Sequence, residues 1–348
     1  MRFLIAILIF SILVLFHEFG HMLVAKKCHV KVNEFMIGLG PRLFGIKRGE
    51  TDYSVHLLPL GGACVMEGEE TDSDNPRAFN KRPAWQRLLI ALAGPFFNLL
   101  MAFVLSIVLL SCIGIQKPVV EDVMEGYPAS ESGLMAGDQI IKMNHKNIHF
   151  YNEVSLYIAF HEGETIEVTF LRDNEKKTVQ LTPKWSEEDN AYYMGVYISV
   201  VPEEQTVVNV IKNSFFEVEY WIWTTIESLK MLFTGGVSVN DMSGPVGIVK
   251  TIGDTYTESM ADGGAYYAFL NMINITILLS ANLAVMNLLP IPGLDGGRIL
   301  FNIIEIVTRK QIPPDKEGMI HLVGMALLMA LMIFIMFNDI RKLFLGQI

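Results

Sequence analysis

Cysteine is scarce. There are three in 348 residues, Cys28, Cys64 and Cys112, and no C-x-x-C pair among them. This spacing argues against a disulfide framework and a thiolate metal site, and leaves isolated buried thiols. Basic charge is also short: the formal net charge is −10, and Lys and Arg do not cluster with aromatic residues, so no nucleic-acid-binding signature is present. Charged residues make up 18% of the chain against 51% hydrophobic, too few for an ordinary soluble protein and too many for one wholly in lipid. Several membrane spans plus a soluble portion fit. The first apolar run lacks a small-x-small cleavage site after it, so it is read as a span and not as a signal peptide.

That first run, over 3–25, holds His17-Glu18-Phe19-Gly20-His21. Helical periodicity puts His17 and His21 one turn apart on one face, ready to hold a metal with two imidazoles. Glu18 lies beside them, where a base for a water at the metal belongs. Two histidines and a glutamate are costly in a lipid-spanning helix and mark function. The competing reading is an ion-pair cluster between helices.

Three further spans are expected at 88–115, 266–289 and 319–337. Between the first two, Tyr53-Ser54-Val55-His56-Leu57 alternates like a strand, Pro59-Leu60-Gly61-Gly62 signals a turn, and Ala63-Cys64-Val65-Met66 is apolar again. This hairpin over 53–66 either dips into the membrane or lies on its surface. His56 is read as structural. Residues 117–184 read as a small α/β module, with strands at 119–124, 139–143, 166–171 and 178–181 and a helix over 152–160 begun by Asn152. Residues 206–233 are aromatic but carry Lys212, Glu217, Glu219, Glu227 and Lys230, which makes them an amphipathic interfacial helix and not a span. A polar, glycine-rich stretch with Ser243-Gly244-Pro245-Val246-Gly247-Ile248 follows. The third span carries Asn271, Asn274, Asn282 and Asn287; its polar face either lines a cavity or hydrogen-bonds a neighbouring helix. Asn287-Leu288-Leu289-Pro290-Ile291-Pro292-Gly293-Leu294-Asp295-Gly296-Gly297 forces irregular backbone that contains the Asp295 carboxylate.

Charge sets the orientation. Residues 26–89 hold ten basic and eight acidic residues, while 116–265 hold ten basic and 23 acidic. Lys26, Lys27, Lys31, Arg82 and Arg87 flank spans, which places the 26–89 loop in the cytoplasm. The first and third spans then run the same way. His17, His21 and Asp295 reach the same depth near the inner face, and counting 206–233 as a span would separate them.

The motif H-E-F-G-H, the stretch Tyr127-Pro128-Ala129-Ser130-Glu131-Ser132-Gly133-Leu134-Met135-Ala136-Gly137-Asp138 (which resembles the bacterial PDZ signature), S-G-P-V-G-I, and N-L-L-P-I-P-G-L-D-G-G together closely resemble the bacterial site-2 protease family. The resemblance implies an intramembrane zinc metalloprotease with one Zn2+ per chain. It implies His17, His21 and Asp295 as zinc ligands and Glu18 as catalytic base. It also implies substrate handling by Asn287 and Asn282, and by the hairpin with Gly61 and Gly62. The expected fold is a polytopic α-helical membrane protein of about four transmembrane helices, with a re-entrant β-hairpin and an inserted extracytoplasmic α/β PDZ-like domain. Its divisions are 1–116, 117–185, 186–265 and 266–348. The expected location is the bacterial cell membrane. The expected substrate is a single-pass transmembrane protein, such as an anti-sigma factor already cut once by another protease, and a peptide or partner is expected at the PDZ-like groove unless that module is a rigid cap. The alternatives are clearance of remnant signal peptides or peptide-pheromone precursors, and, outside enzymes, a metal transporter or membrane receptor with a PDZ-type module.

Overall fold

The computed structural model describes residues 2–69, 72–236, 243–310 and 312–345. The chain forms two compact units, one from residues 1–105 with 235–348 and one from 106–234.

The first unit opens with α1 (Arg2–Lys27), followed by the long strands β1 (Val32–Arg48) and β2 (Thr51–Met66), a 3-10 turn at Phe79–Lys81, and α2 (Ala84–Ile113), which ends in the second unit. The apolar sequence of α1 closes on Lys26 and Lys27, where the helix dipole favours cations. The strands depart from the hairpin expected at 53–66. Both are bent, and β1 pairs twice: Phe35 faces Cys64 on one side and Tyr53 on the other, and Ile37 faces both Gly62 and Val55. Residues 42–48 then pair with 51–56. The result is four ribbons in the order 62–66, 32–37, 51–58, 42–48. The halves of the expected hairpin do not pair with each other, because 32–37 lies between them. Val30, Val32, Phe35, Cys64 and Met66 pack against Met22 and Ala25 of α1.

The second unit contains β3 (Ile115–Val123), α3 (Pro128–Glu131), β4 (Gln139–Met143), β5 (Lys146–Asn147), α4 (Tyr151–Phe160), β6 (Ile166–Arg172), β7 (Glu175–Leu181), the small hairpin β8 (Lys184–Ser186) and β9 (Ala191–Tyr193), β10 (Val196–Glu203) and α5 (Val207–Thr234). The main sheet runs β10-β3-β4-β6-β7, with β5 on β4. It extends past residue 185, since β10 pairs antiparallel with the whole of β3. Ile140, Met143, Ile166, Val168 and Phe170 fill the core with Tyr157 of α4. The helix is capped by Phe150, not by Asn152, whose side chain reaches the Tyr220 hydroxyl at 3.3 Å instead. α5 lays Trp223 parallel to Tyr157, ring centroids 5.9 Å apart, and buries Glu217.

The chain completes the first unit with α6 (Pro245–Leu288), α7 (Asp295–Thr308) and α8 (Pro314–Phe344). The glycine-rich stretch before residue 266 is helical: α6 starts at Pro245 and bends at Gly264, where φ is 71°. Gly244 and Gly247 donate their amides to the buried Asp339 carboxylate of α8 at 3.0 and 2.8 Å. A Cβ on Gly244 would strike Ile335 and Asp339, so this helix start needs glycine. Asp295 does not lie in irregular backbone; it is the first residue of α7.

Among the described residues, four helices are long and apolar enough to cross a membrane: Phe3–Lys27, Ala84–Ile113, Pro245–Leu288 and Lys316–Phe344. Helix α5 is not among them. Their outward residues are large and apolar, for example Phe3 and Leu8 of α1 and Leu322 and Leu327 of α8, as a lipid-facing surface requires.

Candidate active site

Two glycines set the site. A Cβ on Gly20 would lie 2.6 Å from the Ala93 carbonyl oxygen, so α1 and α2 pass almost backbone to backbone there. A Cβ on Gly94 would lie 2.3 Å from His21 Nε2 and 2.6 Å from His17 Cε1. The space that Gly94 leaves open holds the two imidazoles, both buried.

The neighbours of each ring fix its proton. His21 Nδ1 lies 2.8 Å from the Ile90 carbonyl oxygen. A carbonyl only accepts, so Nδ1 is the donor and Nε2 of the neutral ring is bare. His17 Nδ1 lies 3.1 Å from the Asn98 side-chain amide, while Asn98 Oδ1 is buried without a hydrogen-bond partner. Turning that amide gives Oδ1 a donor in His17 Nδ1–H and leaves Nε2 of His17 bare as well. The Ser280 hydroxyl of α6 anchors the same residue by donating to the Asn98 carbonyl oxygen at 2.8 Å.

Asp295 comes to the rings from α7. A Cβ on Gly296 or Gly297 would strike the Leu289 or Ile291 carbonyl oxygen, so the two glycines let α7 start tightly under the Leu289–Leu294 turn. Asp295 Oδ2 lies 3.1 Å from His17 Nε2 and 3.3 Å from His21 Nε2, and the two Nε2 atoms are 3.3 Å apart. Two bare nitrogens and a carboxylate oxygen facing one another repel unless a cation lies between them, and among the described residues Asp295 Oδ2 has no hydrogen-bond donor. Ligands about 2.0–2.1 Å from a tetrahedral ion stand roughly 3.3 Å apart, so the spacing and the donor set both suit zinc. Among the described residues, His17, His21 and Asp295 are the only group of this kind.

Glu18 faces the ribbons, where its Oε2 accepts the backbone amide of Cys64 at 2.9 Å. His17, Glu18, His21 and Asp295 all line a cavity of about 610 Å³. Its wall also carries Glu69 and Arg298, which pair with each other, and His321. The substrate-handling candidates are placed differently. Gly62 lies at the bend of β2, close enough that a Cβ there would be 4.0 Å from Glu18 Cγ. Gly61, with φ 81°, precedes it, and Asn282 and Asn287 lie on α6; none of these four lines the cavity. His56 is fixed by the Gly40 carbonyl oxygen at 2.7 Å and Ser54 Oγ at 3.0 Å. Sequence reasoning missed Asn98 and His321. Each was visible as a polar residue inside an apolar run.

The model of peptidase family M50 matches residues 5–331. A Clostridium acetobutylicum protein described as a candidate zinc metalloprotease is 40% identical over 97% of this chain and 96% of its own length. Zinc metalloprotease RasP of Geobacillus kaustophilus is 32% identical over 97% of both chains. The Bacillus subtilis protein named regulator of sigma-W protease RasP is 28% identical over 97% of this chain and 98% of its own. The alignments with both RasP proteins run to 422 positions against 348 residues here, so those relatives carry segments that this chain lacks. Among solved structures, the PDZ domain of an SdrC-like protein from Listeria monocytogenes is similar at 19% identity and TM-score 0.22, covering 24% of this chain and 86% of that domain. At that TM-score it adds nothing to the reading of the fold.

Proposed function

Since this chain belongs to peptidase family M50 and is a zinc metalloprotease of the membrane, we propose that it cuts single-pass membrane proteins within their transmembrane segments. The observation that carries the proposal is the convergence of His17 Nε2, His21 Nε2 and Asp295 Oδ2 beside Glu18, three of the four on a candidate membrane span. In this reading His17, His21 and Asp295 hold the zinc and Glu18 is the base. When bound, zinc supplies a Lewis acid that polarises the peptide carbonyl and brings the pKa of an attacking water to roughly 7. Glu18 takes the proton from that water and delivers it to the departing amine. The Cys64 amide holds the Glu18 carboxyl group toward the cavity through both transfers.

A substrate helix hides its carbonyls in its own hydrogen bonds, so it must unwind before attack. The outermost ribbon, 62–66, supports a route. Among the described residues it pairs on one side only, with 32–37, and its other edge faces Glu18. An unwound substrate adding as the next strand recovers backbone hydrogen bonds there. The bend of β2 is re-entrant in this reading. The Ser11 hydroxyl, on α1 before His17, donates to the Pro59 carbonyl oxygen, so the bend of β2 runs alongside a candidate span. The Lys and Arg bias supports a site near the cytoplasmic face of a bacterial cell membrane, with the PDZ-like module of residues 117–185, read as peptide-binding, outside. By analogy with the relative named regulator of sigma-W protease, the substrate is an anti-sigma factor left membrane-bound after a first cut.

Glu18→Gln is expected to keep its zinc and lose cleavage of a transmembrane substrate in detergent or proteoliposomes. Cleavage at the wild-type rate overturns the mechanism. Fragments accumulating in cells that carry the variant separate an anti-sigma stump from remnant signal peptides.

A further inference from the structure

Residues 319–337, the most apolar part of α8, contain a single ionisable side chain, His321. An ionisable group in a candidate span is costly and stays where it has work to do. The backbone amide of Gly293 lies 3.0 Å from His321 Nδ1. An amide N–H only donates, so Nδ1 accepts, and the neutral ring carries its proton on Nε2. Nε2 is buried and has no hydrogen-bond partner among the described residues. A buried donor without an acceptor is destabilising, so a position that keeps one implies an acceptor that arrives. The ring lines the same cavity as His17, Glu18, His21 and Asp295, and is steadied by Phe301 in a near-perpendicular contact, centroids 5.6 Å apart. It is not a fourth ligand, since one nitrogen is engaged by Gly293 and the other bears the proton.

We propose that His321 is a further substrate-contacting residue: its Nε2–H donates a hydrogen bond to the peptide carbonyl oxygen under attack. The inference rests on the intramembrane protease reading. As the water oxygen bonds to the carbonyl carbon, negative charge gathers on the carbonyl oxygen, and a donor already in place stabilises it without reorganising. His321 gives up no proton. The C–N bond then breaks with the proton held by Glu18 going to the amine, so the balance closes without another reactant. The alternative is that His321 only holds the Gly293 turn, two residues before Asp295.

Two amides separate these roles. In His321→Asn the side-chain oxygen can still accept from Gly293, but no donor replaces Nε2–H. In His321→Gln a side-chain N–H reaches toward the Nε2 position, but the Gly293 acceptor is lost. Both are compared with wild type in the full chain for zinc content and for kcat and KM on a transmembrane model substrate. The expected result is that Asn keeps zinc and KM and loses about 10²-fold in kcat, while Gln keeps the larger share of kcat. Near-wild-type kcat in Asn, equal losses in both, or zinc loss in Asn each overturn the proposal. A wild type that leaves transmembrane substrates uncut sinks the protease reading instead, which keeps the two failures apart.

Discussion

Gly94 lies directly beneath His21: a Cβ there would stand 2.3 Å from Nε2, the atom that faces Asp295. The clash is with a ring wedged between α1 and α2, and α1 cannot back away where Gly20 already meets Ala93. Gly94→Ala is therefore expected to turn the imidazole off its target, lower zinc occupancy and reduce cleavage about 10²-fold. Zinc content by metal analysis, measured beside activity, checks this. Full occupancy would show that the rings tolerate the methyl.

Asn98 reaches His17 through the nitrogen that does not face Asp295. Such partners fix a ligand's tautomer and ring angle. Asn98→Ala should weaken zinc binding about 10–100-fold in competition with a chelator, while Asn98→Asp, which offers an acceptor, keeps most of it.

Glu69 and Arg298 tie the loop after β2 to α7, one turn beyond Asp295. Both side chains are largely buried, so removing one leaves an uncompensated charge. Arg298→Ala is expected to cost about 3 kcal/mol and Arg298→Ala/Glu69→Ala less than that, read from thermal unfolding in detergent.

Burial pushes the Glu217 carboxyl up to about 7, even though Trp221 Nε1–H donates to it at 3.0 Å. Burial likewise pushes Glu153 up to about 7 against the opposing pull of Lys146. The folded values lie above the ordinary value of 4.5, so the folded state holds these protons longer than the unfolded one. Their contribution is unpenalised below about pH 4.5, and stability falls as pH rises from there to about 7. Glu217→Gln should flatten that fall and stabilise the 106–234 unit at pH 8. Unfolding followed by tryptophan fluorescence at pH 5 and pH 8 reads it.

The four candidate spans were legible because length and apolarity alone define them. Four strands of the 106–234 unit, β3, β4, β6 and β7, were legible as short apolar runs between turn residues, while β10, which pairs with β3 from beyond residue 185, was not. Pairing was not. Residues 53–57 and 63–66 each read correctly as extended, but nothing local shows that 32–37 comes between them. Asp295 was found by counting membrane crossings, yet the helix it opens was hidden. Gly296 and Gly297 read as loop residues, and only the carbonyls of Leu289 and Ile291 reveal why a helix start needs them. The same holds for Gly244 and Gly247, whose partner Asp339 is more than 90 residues downstream. Asn98 stayed anonymous because its role depends on the facing helix.

Cys64 and Glu18 add a final consequence. Along a strand, successive amides point to opposite edges, so only every second residue of 62–66 can address the Glu18 carboxylate. The ribbon is held to Glu18 in phase. Losing one residue from β2 between its bend and Cys64 would turn the amide inward, toward 32–37, and silence the enzyme with every catalytic side chain intact. Losing both Gly62 and Ala63 would restore the phase. The enzyme's tolerance for change in this strand is thus a matter of odd and even.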